Sequence, residues 1–178
     1  MKVFRPLKQF LLLFAGLLGL AGCSQMKASN FAGASPRFLP EQFFLGEGKA
    51  HGVFFDRFNN LKRSFVLTLR GRSEGGEFVI AEDLRYDDGR EIQREYRLKK
   101  LDEHRYEVRS EAFEGLGTIE SYGNVLNWNY VLKEEIGGEI WHLTFDDWMF
   151  LQEDGVVLNR AYGTKFGFDI GEVFLTFR

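Results

Sequence analysis

Leu126-Asn127-Trp128-Asn129-Tyr130-Val131-Leu132, then Gly137-Gly138, then Trp141-His142-Leu143-Thr144-Phe145-Asp146-Asp147-Trp148-Met149 is the passage that decides the fold. Successive side chains of a strand point to opposite faces, so Leu126, Trp128, Tyr130 and Leu132 share one face. Trp141, Leu143, Phe145, Asp147 and Met149 share a face in the same way, and a Gly-Gly pair between two such runs is a hairpin turn.

The pattern repeats outward in both directions. Turn pairs stand at Asn59-Asn60, Gly75-Gly76, Asp88-Gly89, Gly123-Asn124 and Asp154-Gly155, and no proline follows Pro40 to interrupt a ladder. Strands are expected near 48–58, 62–73, 77–87, 90–100, 105–113, 115–121, 125–134, 139–151, 156–166 and 169–177. Sequential hairpins make an antiparallel meander, and no long helical pattern competes. Closing the meander removes its exposed edges, so an all-β, up-and-down barrel of about 8–10 strands is favoured over a sandwich. The barrel domain is read as 41–178, behind an N-terminal signal helix.

That N-terminal segment reads as an address. Lys2, Arg5 and Lys8 precede an apolar run from Phe10 to Leu20, which is too short to span a bilayer as a mature helix and has the order of a signal peptide. Leu20-Ala21-Gly22-Cys23 resembles the lipobox of bacterial lipoproteins, which implies cleavage after residue 22 and acylation of Cys23. By the same resemblance, Ser24 directs a Gram-negative lipoprotein to the outer membrane. Residues 24 to 40 are small, polar and turn-rich, so 23–40 is read as a tether whose apolar residues either pack on the domain as a lid or remain mobile.

Cys23 is the only cysteine, so no disulfide is available and the core must hold the fold. Losing Lys2, Arg5 and Lys8 lowers the 23 basic residues to 20, against 26 acidic ones. An acidic domain argues against nucleic acid or an anionic membrane face as a main partner. His51, His104 and His142 fall on separate strands without metal-site spacing, no Gly-x-Ser-x-Gly occurs, and no metal, cofactor or catalytic residue is assigned.

Phe44-Leu45-Gly46, Asp56-Arg57-Phe58, Phe145-Asp146-Asp147-Trp148-Met149-Phe150-Leu151, Asn159-Arg160 and Lys165-Phe166-Gly167 give the chain a resemblance to the DUF3833 family of Gram-negative lipoproteins. The resemblance implies a lipocalin-like (calycin) barrel and brings no assigned activity or site.

Two strands carry Arg-x-Tyr, Arg94-Glu95-Tyr96 and Arg160-Ala161-Tyr162, each placing a guanidinium and a phenol on one face. This resembles the carboxylate clamp of fatty-acid-binding barrels. Asp147 stands in an apolar series and, buried, would need a partner. A two-residue turn at Asp154-Gly155 sets Tyr162 opposite Asp147 and makes Arg160 its diagonal neighbour, whereas a three-residue turn breaks that register. The two arginines therefore either hold a ligand or form an internal ion pair with Asp147. Asp146 points to the opposite side from Asp147, against a paired-carboxylate site.

The expected function is a membrane-anchored periplasmic lipoprotein that binds a small amphipathic ligand, such as a fatty acid or lipid, through Arg94, Tyr96, Arg160, Tyr162 and Asp147. The alternatives are an assembly lipoprotein acting by its outer surface and a cofactor-free isomerase or cyclase using Asp147 or Tyr162.

Overall fold

The structure, a computed structural model, describes residues 26–178. The segment 1–22 read as a signal peptide, Cys23 read as the acylation site, and the first residues of the expected tether lie outside the described residues. Ten strands follow: β1 Gly46–Asp56, β2 Leu61–Glu74, β3 Glu77–Tyr86, β4 Glu91–Lys100, β5 Arg105–Arg109, β6 Gly117–Tyr122, β7 Val125–Ile136, β8 Glu139–Leu151, β9 Val157–Lys165 and β10 Phe168–Phe177. Each pairs with its sequence neighbour, and β1 closes on β10, so the sheet is a ten-stranded antiparallel barrel without a free edge.

The period-2 pattern sorts residues as the alternation requires. Leu126, Trp128 and Leu132 on β7, and Leu143, Phe145, Asp147 and Met149 on β8, are buried inward. Gly137-Gly138 connects them as a two-residue loop, with Ile136 opposite Glu139.

The two ends of the barrel differ. At one end, where β1 starts and β10 finishes, the preceding chain is packed. Phe38 is fully buried, the short helix α1 (Pro40–Phe43) follows, and Phe43 and Phe44 meet edge to face at 4.9 Å, with Phe44 5.9 Å from Phe177. The Phe38 N–H donates to Gly123 O at 2.7 Å, and Ser121 Oγ donates to Phe38 O. Gly71 and Gly123 permit this approach: a Cβ on Gly71 would lie 1.8 Å from Phe44 O, and one on Gly123 1.9 Å from Phe31 O. Upstream, a 3-10 turn at Ala28–Phe31 lies on the outer wall, where Ala28, Val125 and Trp148 form a second buried cluster with Phe31, Phe150 and Tyr162 packed around it. From Met26 on, the stretch read as a tether is thus a packed plug and strap.

The other end stays open. One side of its wall is low, because β5 and β6 are short. Backbone pairing of β4 with β5 covers only Arg97 to Lys100, and that of β6 with β7 runs only from Thr118 opposite Asn129 to Tyr122 opposite Val125. The connecting loop leans into the gap, where Phe113 bridges to Leu132 and joins the core.

Candidate interior site

The barrel encloses a cavity of about 430 Å³ that opens at the unplugged end. Strands β1, β2, β9 and β10 line it chiefly with apolar groups, among them Leu67, Leu69, Ala161, Val173 and Leu175, with Arg63 of β2 at the mouth. Strands β3, β4, β7 and β8 contribute the polar groups Glu82, Arg94, Tyr96, Tyr130, Glu134 and Asp147. Apart from Arg63 at the rim, the charged groups stand on one side of the interior, set among Ile80, Leu84, Trp128, Leu132 and Phe145.

Arg94 organises the polar wall. It stands opposite Glu82 in the β3–β4 ladder, its Nη1 lies 3.6 Å from Glu82 Oε1, and its Nη2 donates to Glu134 Oε2 at 2.7 Å. The second contact crosses the low part of the wall, from β4 to β7, where no backbone pairing joins the strands. Tyr96 Oη donates to Glu82 Oε1 at 3.2 Å. At the mouth, Arg90 stacks over Tyr86 at 4.3 Å and approaches Glu134 at 3.8 Å. The Arg94 side chain is only 11% exposed. Burial opposes its charge, but Tyr96, Glu82 and Glu134 outweigh that and raise its pKa, so it stays cationic. Burial likewise raises Glu82, against the pull of Arg94, and lifts the Tyr96 and Tyr130 phenols well above their ordinary value.

Asp147 lies opposite Trp128 on β7 and is buried. Its carboxyl accepts a hydrogen bond from Asn159 Nδ2, which also donates to Trp148 O at 3.1 Å. Its pKa is pushed up to about 7, chiefly by burial; the Asn159 hydrogen bond works against that shift and the charge of Asp146 adds to it. Asn159 Oδ1 and Trp128 Nε1, both buried, have no hydrogen-bond partner among the described residues.

The second Arg-x-Tyr is not part of this site. Arg160 and Tyr162 point out of the barrel: Arg160 is 46% exposed, bonds Glu172 through Nε at 2.8 Å and stacks over Tyr162 at 4.5 Å, while Tyr162 packs beside the strap. The cause is turn length. Gln152 N–H donates to Val156 O at 2.8 Å, so the loop holds three residues, 153 to 155, and Met149 faces Asn159 rather than Arg160. One extra residue inverts every side chain of β9. Ala161 therefore stands opposite Asp147, and Asn159 takes the place expected for Arg160 as its partner.

Among the described residues the interior thus holds one deeply buried cation, Arg94, with the carboxyl groups of Glu82, Glu134 and Asp147. A closed ten-stranded antiparallel barrel is one half of the identification, and the sequence comparison supplies the other: residues 17–178 match the family described as Protein of unknown function (DUF3833). The chain belongs to the DUF3833 family. No curated protein sequence matches it. The S-type phycobiliprotein lyase CPES from Guillardia theta is similar in structure, with a TM-score of 0.57 at 7% identity, over 85% of this chain and 96% of that one. At that identity the likeness is one of fold, a lipocalin-like barrel.

Within this DUF3833 barrel, Arg94, Tyr96 and Asp147 come together on one wall as the alternation placed them. Glu82, Glu134, Tyr130 and Asn159 complete the site and were not assigned from sequence. A signal for two of them exists: Glu82 interrupts the inward series Phe78, Ile80, Leu84, and Glu134 extends the series Leu126 to Leu132.

Proposed function

We propose that this protein is a lipoprotein, acylated at Cys23 and held at the periplasmic face of the outer membrane of a Gram-negative bacterium, whose barrel binds a small amphipathic ligand such as a fatty acid or other lipid. The observation that carries the ligand is the open cavity of about 430 Å³, chiefly apolar, with its buried charged groups on one side. Such a volume lies in the range that small-molecule pockets occupy. The apolar part of the ligand lies along Leu67, Leu69 and Leu175, and its polar end meets Glu82, Arg94 and Tyr96.

Charge balance narrows the polar end. Arg94 already answers Glu82 and Glu134, so a ligand carboxylate adds a further negative charge to a wall without a spare buried cation. A hydroxyl or an amine finds acceptors there instead. We expect a long-chain alcohol or amine to bind more tightly than the acid of equal length at pH 8, and the acid to gain as pH falls.

Lipid extraction and mass spectrometry of the purified protein, followed by titration with that alcohol, amine and acid series, test the reading. A compound that co-purifies with the wild type and is lost from Ala161→Trp, which fills the cavity, supports it. Failure of the wild type to retain or bind any of these compounds overturns it. Anchoring is tested separately by incorporation of labelled palmitate, which Cys23→Ser should abolish.

A second reading is favoured by Asp147 alone, a cavity-lining carboxyl with a pKa of about 7 beside the Tyr130 phenol. That is a competent general acid or base for a cofactor-free isomerisation. Tyr162, on the outer wall, takes no part in it. Asp147→Asn should then abolish turnover and leave binding intact.

A further inference from the structure

We infer that the rim of the open end is a membrane-docking surface: the tips of three adjacent hairpins insert apolar side chains into a lipid bilayer. Strand order makes the β1–β2, β9–β10 and β7–β8 hairpins consecutive around the mouth. Their tips expose Phe58 and Leu61, Phe166 and Phe168, and Ile136 and Ile140 respectively. The remaining two hairpins of the same rim carry Asp87, Asp88 and Arg90, and Glu111, Glu114 and the exposed Leu116. The paired apolar tips therefore occupy one arc of the mouth, where the β7–β8 tip also exposes Glu135 and Glu139 beside its isoleucines, and the facing arc is richer in acid.

Phe166 is the most telling of the six. It is 88% exposed and occupies the first position of a two-residue turn at φ 52°, with Lys165 paired to Phe168. Both central positions of such a turn take positive φ, where asparagine or glycine sits without strain and a bulky aromatic does not. A residue that is unfavourable for the backbone and 88% exposed adds little to the folded chain by packing. Strain of that kind is kept where a site uses the side chain.

The chemistry of the tips fits lipid. Arg57 lies 4.7 Å from the Phe58 ring centroid, and Lys165 lies 5.4 Å from that of Phe166 and 3.1 Å from that of Trp141. An aromatic ring with a cation beside it suits the headgroup level, the ring among acyl chains and the cation at phosphate. The apolar side chains stand on separate tips rather than on one flat face, which a fluid surface accommodates. Docking itself needs neither the anchor nor a ligand in the cavity.

The test uses the full chain carrying Cys23→Ser, whose apolar N-terminal segment holds every variant at vesicles of phosphatidylethanolamine and phosphatidylglycerol. A single new cysteine at Phe58→Cys, Ile140→Cys or, at the plugged end, Leu101→Cys carries an environment-sensitive fluorophore. Brominated acyl chains should quench the labels at 58 and 140 several-fold more than the label at 101. Phe166→Asn relieves the strained turn, so it should keep or raise the melting temperature while lowering quenching at 58 about twofold or more. Equal quenching at all three positions, or quenching at 101 alone, overturns the inference. So do labels at 58 and 140 that are already shielded without vesicles in an oligomer, which would make the rim an interface between copies. A rim that docks while the cavity binds no lipid probe leaves the docking intact and sinks the carrier reading, and the converse result does the reverse.

Discussion

The two ends of the barrel use the same side chain in opposite ways. At the plugged end, Phe38, Phe43, Phe44 and Phe177 stack into the core beneath a strap of the chain's own N-terminal segment. At the open end, Phe58, Phe166 and Phe168 stand in solvent around a cavity mouth. Phenylalanine content alone predicts neither fate. What separates them is whether the chain supplies a cover, and here one end is a foundation and the other a working surface.

The comparison can be broken by truncation. Phe38→Ala should cost about 3–5 kcal/mol, the range for emptying a buried phenylalanine site, read as a shift in urea midpoint. Phe58→Ala should change stability by about 0.5 kcal/mol or less. Similar losses at the two positions would mean that the open end is also structural.

Between the ends, Asp147 makes the polar wall measurable. Its folded pKa of about 7 lies above its ordinary value of 3.8, so the protonated carboxyl is the form the fold favours. That contribution is fully present below pH 3.8, declines as pH rises, and is gone above about pH 7, a swing on the order of 4 kcal/mol. Stability of Asp147→Asn should lack that decline and exceed the wild type at pH 8. A wild-type curve that rises between pH 4 and 7 in step with Asp147 would show the carboxyl to be paired as an anion.

Smaller effects sharpen the contrast. Ser121→Ala removes the hydroxyl that holds Phe38 O and should cost about 1 kcal/mol. At the rim, Phe166→Asn should stabilise by up to about 1 kcal/mol, because asparagine tolerates the positive φ that phenylalanine resists. Calorimetric melting of the two variants gives opposite signs if the ends are as different as the packing indicates.

The two Arg-x-Tyr strands show where sequence reading ran out. Arg94 and Tyr96 face inward as their alternation indicated, because no ambiguous turn intervenes between Leu98 and the other apolar residues of β4. Arg160 and Tyr162 carry the same pattern and face out, because Asp154-Gly155 sits in a three-residue loop and the face of β9 depends on that single residue. The strand positions were legible almost throughout, since turn pairs and period-2 burial are local. The packing of Phe38 was legible only as one of two alternatives, a lid or a mobile tether, because the small and polar residues around it do not say what lies beneath the barrel.

The sequence by itself determined the meander, the turns and which residues of one strand share a face, since steric alternation and positive-φ turn chemistry act between near neighbours. Tertiary structure alone decided that the barrel is plugged at one end and hollow within. It also decided that Arg94 is held by Glu134, forty residues away, across a low wall. Closure brings distant strands together, and the state of a buried charge is set by whatever closure places beside it.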